Sequence, residues 1–149
     1  MNDINKPFFK VYLLDDDQCT LDLIEAMLDA DPVNYYEVTK FTSSPEALKT
    51  IILNQPDILV LDVNIPVMNG FEVCQKIKSN VHTAFITVVL ITAYGSEYVW
   101  HDGLLLYHAD YYISKPFECE PFIDHIHSVI KLKQGKLTDH KNQLISKSI

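Results

Sequence analysis

Short, continuously apolar runs alternate along the chain with stretches whose apolar positions recur at helical spacing, and this alternation predicts the architecture. FFKVYLL (8–14) reads as a first buried strand, ending in Asp15, Asp16 and Asp17. Over 18–29, Leu21, Ile24 and Leu28 share one helical face, and Asp31, Pro32 and Asn34 end the helix. YYEVTKF (35–41) is aromatic and β-branched and reads as a second strand. Ser44, Pro45 and Glu46 form a helix start, with the Ser44 hydroxyl as the cap of a helix reaching about Asn54.

A third strand over 57–61 is the most apolar stretch of all, and it stops at a carboxylate, Asp62, before the loop residues Asn64, Pro66 and Asn69. Residues 70–79 make a third helix on Phe71, Val73, Cys74 and Ile77. FITVVLI (85–91) is a fourth strand ending at Thr92, 96–107 a fourth helix, and 111–113 a short fifth strand before Ser114, Lys115 and Pro116. A last helix starts near Glu118 and passes Ile130. Strand followed by helix, five times over, demands right-handed crossovers and a parallel sheet covered on both faces.

Composition narrows what such a domain does. The 149 residues are of single-domain size, and the net charge of -8 argues against binding a nucleic-acid backbone. Charge is uneven: the segment after Ser128 carries +4 and the body -12. No apolar run is long enough for a membrane span and the start is too polar for a signal peptide, so the expected location is cytoplasmic. Cys19, Cys74 and Cys119 are too scattered for a metal site and read as reduced packing thiols. The chain has no arginine, so a bound phosphoryl group would rely on lysine, hydroxyls, amides or a metal.

In a parallel sheet the strand ends bring Asp15, Asp16, Asp62, Thr92 and Lys115 to one edge, where ligands of open α/β sheets collect. Carboxylates crowded there repel one another unless a cation sits among them, and oxygen donors without His or Cys suit Mg²⁺. A carboxylate beside such an ion is a candidate nucleophile toward phosphorus, with Thr92 and Lys115 placed to hold phosphoryl oxygens. Asp17 reads as a helix cap. The six histidines read as non-catalytic: His125 and His127 are two apart on a helix and face different ways.

LLDDD, LDVNIPVMNGFEV, VVLITA and YYISKPF together resemble the receiver domain of two-component response regulators, over about 10–133. The resemblance implies a flavodoxin-like, doubly wound (βα)5 fold with a five-stranded parallel sheet in the order 2-1-3-4-5. It implies Asp62 as phosphoacceptor, Mg²⁺ bound by Asp16, Asp62 and the backbone carbonyl of Asn64, with Asp15 reaching it through water, and Thr92 and Lys115 on the phosphoryl oxygens. It further implies a cis peptide at Pro116 and a two-state switch in which Tyr112 follows Thr92. Output would pass through the face of the fourth helix, fifth strand and last helix, a partner or homodimer surface. The partners implied are a sensor histidine kinase or histidine phosphotransfer protein and a downstream effector domain or protein, the chain being no enzyme beyond its own phosphorylation and dephosphorylation.

Three positions depart from the common pattern: Asn69 where Asp often precedes the glycine, His108 where glycine is frequent, and Tyr94 two past Thr92. Three other readings compete. A pseudo-receiver serving only as a protein-binding module usually lacks one of these residues. A phosphatase of the haloacid dehalogenase kind needs an acid where Asn64 stands, and a flavodoxin relative needs a phosphate loop where the acids stand. The expected organisation is a receiver domain over 1–133 and, over 134–149, a basic tail or the start of a helical linker with Ile123, Ile130, Leu137 and Leu144 at heptad spacing.

Overall fold

The computed structural model describes residues 5–93, 107–115 and 118–147. Five strands, β1 (Phe8–Leu14), β2 (Tyr35–Phe41), β3 (Ile58–Asp62), β4 (Thr87–Thr92) and β5 (Tyr111–Ser114), form one parallel sheet in the order β2-β1-β3-β4-β5. The helices are α1 (Gln18–Asp29), α2 (Ser44–Leu53), α3 (Gly70–Lys78) and a C-terminal helix (Cys119–Lys147). This is the parallel sheet that the sequence pattern predicts, in the flavodoxin-like doubly wound order that the resemblance implies. All but Tyr107 of the fourth helix expected over 96–107 lies outside the described residues, as do Tyr94 and Pro116.

Side chains alternate between the two faces of each strand, so the sheet divides the core in two. Val11, Leu13, Ile58, Val60, Val89 and Ile91 pack under α1 and the C-terminal helix. Tyr12, Leu14, Leu59, Leu61, Val88 and Leu90 pack under α2 and α3. β3 and β4 are buried at every position, which is why they read as unbroken apolar runs.

Several local expectations change. β4 begins at Thr87 rather than 85: Phe85 is 60% exposed in a turn closed by the Ile86 amide donating to the Thr83 carbonyl. The cap of α2 is Ser43, not Ser44, whose hydroxyl donates to the Met68 carbonyl (2.7 Å). Of the three thiols only Cys74 packs; Cys19 and Cys119 are exposed. Burial pushes the Cys74 thiol up to about 12. The C-terminal helix spans 29 residues, about 43 Å. Its Ile123 and Ile130, the first two positions of the heptad pattern, pack into the domain core.

Two polar clusters pin the edges remote from the strand ends. Lys78 pairs with Asp110 (2.7 Å) while donating to the Ala84 and Ile86 carbonyls, and Asp110 also accepts from the Val88 amide. Asp31, buried after α1, accepts from the Val33 amide (2.8 Å) and the Tyr36 hydroxyl, and meets His127 Nε2 at 2.9 Å. His125 lies 2.9 Å from the Tyr111 hydroxyl, so the two histidines join the C-terminal helix to different elements. Burial alone would raise the pKa of Asp31; the bonds from Tyr36, Val33 and His127 outweigh it and hold the group below its ordinary value.

Among the described residues, two that are not glycine, Val67 (φ 70°) and His108 (φ 60°), adopt the left-handed conformation. At His108 this accounts for the glycine frequent in the resembling family. A β-branched residue tolerates it worst.

A group whose pKa is depressed by folding stabilises the fold above its unfolded value and loses that contribution as pH falls through the folded value. Asp31→Asn should therefore destabilise by about 1–3 kcal/mol at pH 7, and the gap to wild type should close below about pH 4. Melts between pH 3 and 7 check this; a gap independent of pH would refute it. Relieving the strain by Val67→Gly should raise Tm by about 2–4 °C, with a smaller rise for His108→Gly. Calorimetry of both variants is the check.

Candidate phosphotransfer site

The site is built by strand parity. Asp15 and Lys115 continue the alternation of β1 and β5, and Asp62 ends β3, all three on the side of α1 and the C-terminal helix. Lys115 Nζ lies 2.7 Å from Asp62 Oδ2 and 3.0 Å from Asp15 Oδ2, so one ammonium bridges two buried carboxylates. The Lys115 amide donates to the Thr92 carbonyl (2.7 Å), which fixes the lysine beside β4.

Asp15 Oδ1 also accepts from the Asp17 amide (2.9 Å). Burial pushes Asp15 up to about 6, aided by the neighbouring Asp62 and opposed by the Asp17 amide and Lys115. Lys115 would be lowered by burial, but its bonds to Asp62 and Asp15 prevail and raise it. Two buried carboxyl groups thus share one ammonium.

Asp16 is exposed at the same strand end and does not join the pair. Among the described residues no cluster of three or more His, Cys, Asp or Glu side chains is arranged to hold a metal. The Asn64 amide donates to Asp62 Oδ1 (2.8 Å), turning the loop back on the carboxylate. Thr92 is buried at the end of β4, and Tyr112 is half-buried against the core under α2 and α3, the opposite parity from Asp62. Nearby, Phe71 and Tyr107 stack at 4.8 Å between centroids. Asp17 caps α1, accepting from the Cys19 amide and the Thr20 hydroxyl, as its position after β1 suggests.

The loop from β3 to α3 carries the rest of the geometry. Asn69 caps α3 in a reciprocal box with Glu72, so Asn serves there as well as Asp would. The Gly70 amide donates to the Val63 carbonyl (2.9 Å). A Cβ on Gly70 would overlap the Asp62 carbonyl oxygen and come within 2.7 Å of Val63 Cα. The start of α3 thus rests directly on the backbone of Asp62, and only glycine permits it. Sequence reasoning missed two participants, Ser44 and Gly70.

A family model for the response regulator receiver domain matches residues 11–127. The chain belongs to that family. The receiver domain is 35% identical to the response regulator PleD of Caulobacter vibrioides over 124 residues, covering 83% of this chain and 26% of PleD. It is 32% identical to the response regulator ArlR of Staphylococcus saprophyticus, covering 93% of this chain and 60% of ArlR. The chain therefore spans between a quarter and three-fifths of these curated relatives. Among solved structures, the chemotaxis protein CheY4 of Vibrio cholerae superposes with a TM-score of 0.72 at 25% identity, covering 80% of this chain and 97% of that one. A receiver domain is a phosphorylation-based signalling module of two-component systems and a substrate in phosphotransfer, not a free-standing enzyme. Among the described residues, no helix of this one is long and apolar enough to cross a membrane.

Gly70→Ala should cost about 1–3 kcal/mol by overpacking. Unlike an ordinary core change, it should also shift the NMR resonances of Asp62 and Val63; unperturbed resonances there would refute the close packing.

Proposed function

We propose that Asp62 is the phosphoacceptor of this receiver domain, taking a phosphoryl group from the phosphohistidine of a sensor histidine kinase or phosphotransfer protein. The observation that carries the reading is the Lys115 ammonium held between Asp62 and Asp15 at the carboxyl ends of the strands. In the transfer, an Asp62 carboxylate oxygen forms the new bond to phosphorus while the bond from phosphorus to the donor's imidazole nitrogen breaks. The Lys115 ammonium balances charge on the phosphoryl oxygens, and the Thr92 hydroxyl donates to one of them.

The donor set fits Mg²⁺: it is oxygen alone, and the two buried acids leave charge that a divalent ion would balance. Asp16, Asp62 and the Asn64 carbonyl would hold it, with Asp15 reaching it through water, and when bound it would neutralise the transferring phosphoryl group. Support comes from the receiver domain of a sensor histidine kinase of Pseudomonas aeruginosa, whose structure has a magnesium ion coordinated in the active site cleft.

Phosphorylation would draw Thr92 toward Asp62, and Tyr112 would follow into the space released, changing the face that β5 and the C-terminal helix share with the fourth helix expected over 96–107. That face would meet a downstream effector domain or protein, or a second copy. The receiver unit would occupy 1–133, in the cytoplasm, with 134–149 as a basic tail or the start of a helical linker.

Intact mass after incubation with a small phosphodonor is the test. A single phosphoryl adduct that requires Mg²⁺, is labile to hydroxylamine and is absent from Asp62→Ala is expected. Failure of wild type to form the adduct from either a small donor or phosphohistidine, with Mg²⁺ shown to bind, would instead favour a phosphorylation-independent interaction module.

A further inference from the structure

The loop after Asp62 is under strain and has little to hold it. Val67 takes φ 70° although β-branched and is 90% exposed. Within the loop the Met68 amide donates to the Pro66 carbonyl and the Gly70 amide to the Val63 carbonyl. Among the described residues, the one hydrogen bond joining residues 64–69 to an element other than β3 and α3 comes from Ser44, whose hydroxyl donates to the Met68 carbonyl at 2.7 Å.

Ser44 is 2% exposed. Its hydroxyl is free for this bond because the cap position of α2 falls to Ser43, whose own side chain makes no capping bond. A buried hydroxyl spent on a loop carbonyl, in place of the helix end it precedes in sequence, ties α2 to the segment that presents Asn64 and Asp62.

We infer that Ser44 is a positioning residue for phosphotransfer: through the Met68 carbonyl it holds the strained loop in the register that aims the Asn64 carbonyl and Asp62 carboxylate at the metal. The inference rests on the reading of Asp62 given above. It requires no contact between Ser44 and the phosphoryl group.

Ser44→Ala removes the donor at almost no change in volume, and Ser43→Ala is the control on the same helix end. Amide exchange of the metal-free protein, resolved by NMR, should accelerate about 3- to 10-fold at Met68 and Gly70 in Ser44→Ala, as expected for one lost hydrogen bond. Exchange in β3 and β4 should not change, and Ser43→Ala should match wild type at both loop amides. The apparent dissociation constant for Mg²⁺ should rise by a similar factor in Ser44→Ala alone. Unchanged loop exchange, equal effects of the two variants, or unchanged Mg²⁺ affinity would each overturn the inference. Wild type that binds no Mg²⁺ would overturn the site reading and this inference together, whereas wild type that binds it while Ser44→Ala binds equally well overturns this inference alone.

Discussion

Two carboxylates buried side by side at the end of a parallel sheet cannot persist without a cation between them, and in this chain Lys115 is that cation. Much follows from that requirement. The lysine must leave β5 with the same parity as the ends of β1 and β3, and its amide must stay on the sheet ladder, which the bond to the Thr92 carbonyl ensures. A one-residue slip of β5 would send the ammonium to the other face. The short fifth strand, only four residues long, is therefore fixed as much by charge as by burial.

Around that centre the packing is asymmetric. On one face the C-terminal helix is held by apolar contacts through Ile130 and by His125 and His127, which reach β5 and the end of α1. On the other, α3 is pressed so closely on Asp62 that no side chain fits at Gly70. The intervening loop gives way instead, taking a left-handed turn at Val67. Strain stored beside a buried carboxylate persists only where neighbours hold it, and the Ser44 bond and the Asn69 capping box are those holds.

The fold was legible because its signals are local and redundant. The buried runs of β3 and β4, the alternation of strand and helix, and the acids at the strand ends all point one way. What was illegible depends on tertiary placement. A serine before a proline has a hydroxyl equally suited to a helix amide or a distant carbonyl, and only the proximity of Met68 decides for the latter. Phe85 continues an apolar run in sequence, yet the turn at Thr83 carries it out of the sheet. Val67 gives no hint of positive φ, since β-branched residues rarely accept it. In the site, the sequence brings three acids to one edge, where Asp15 and Asp62 share the ammonium and Asp16 is exposed, and strand parity separates Tyr112 from them.

That separation bears on how one event could be read on both sides of the sheet. Asp15, Asp62 and Lys115 lie toward α1 and the C-terminal helix, while Tyr112 packs against the core on the side of α2 and α3. Thr92 sits between the two systems, its backbone bonded to Lys115 and its position in β4 sharing the parity of Leu90, the register partner of Tyr112. On the proposed reading, a phosphoryl group on Asp62 competes for the ammonium that now bridges the acids and for the Thr92 hydroxyl at once. The first competition acts on the face that anchors the C-terminal helix, and the second acts on the face across the sheet, where Tyr112 packs. On that reading a charge added at Asp62 biases both helical layers, because β3 and β4, buried at every position, are packed too closely to absorb a displacement at their ends.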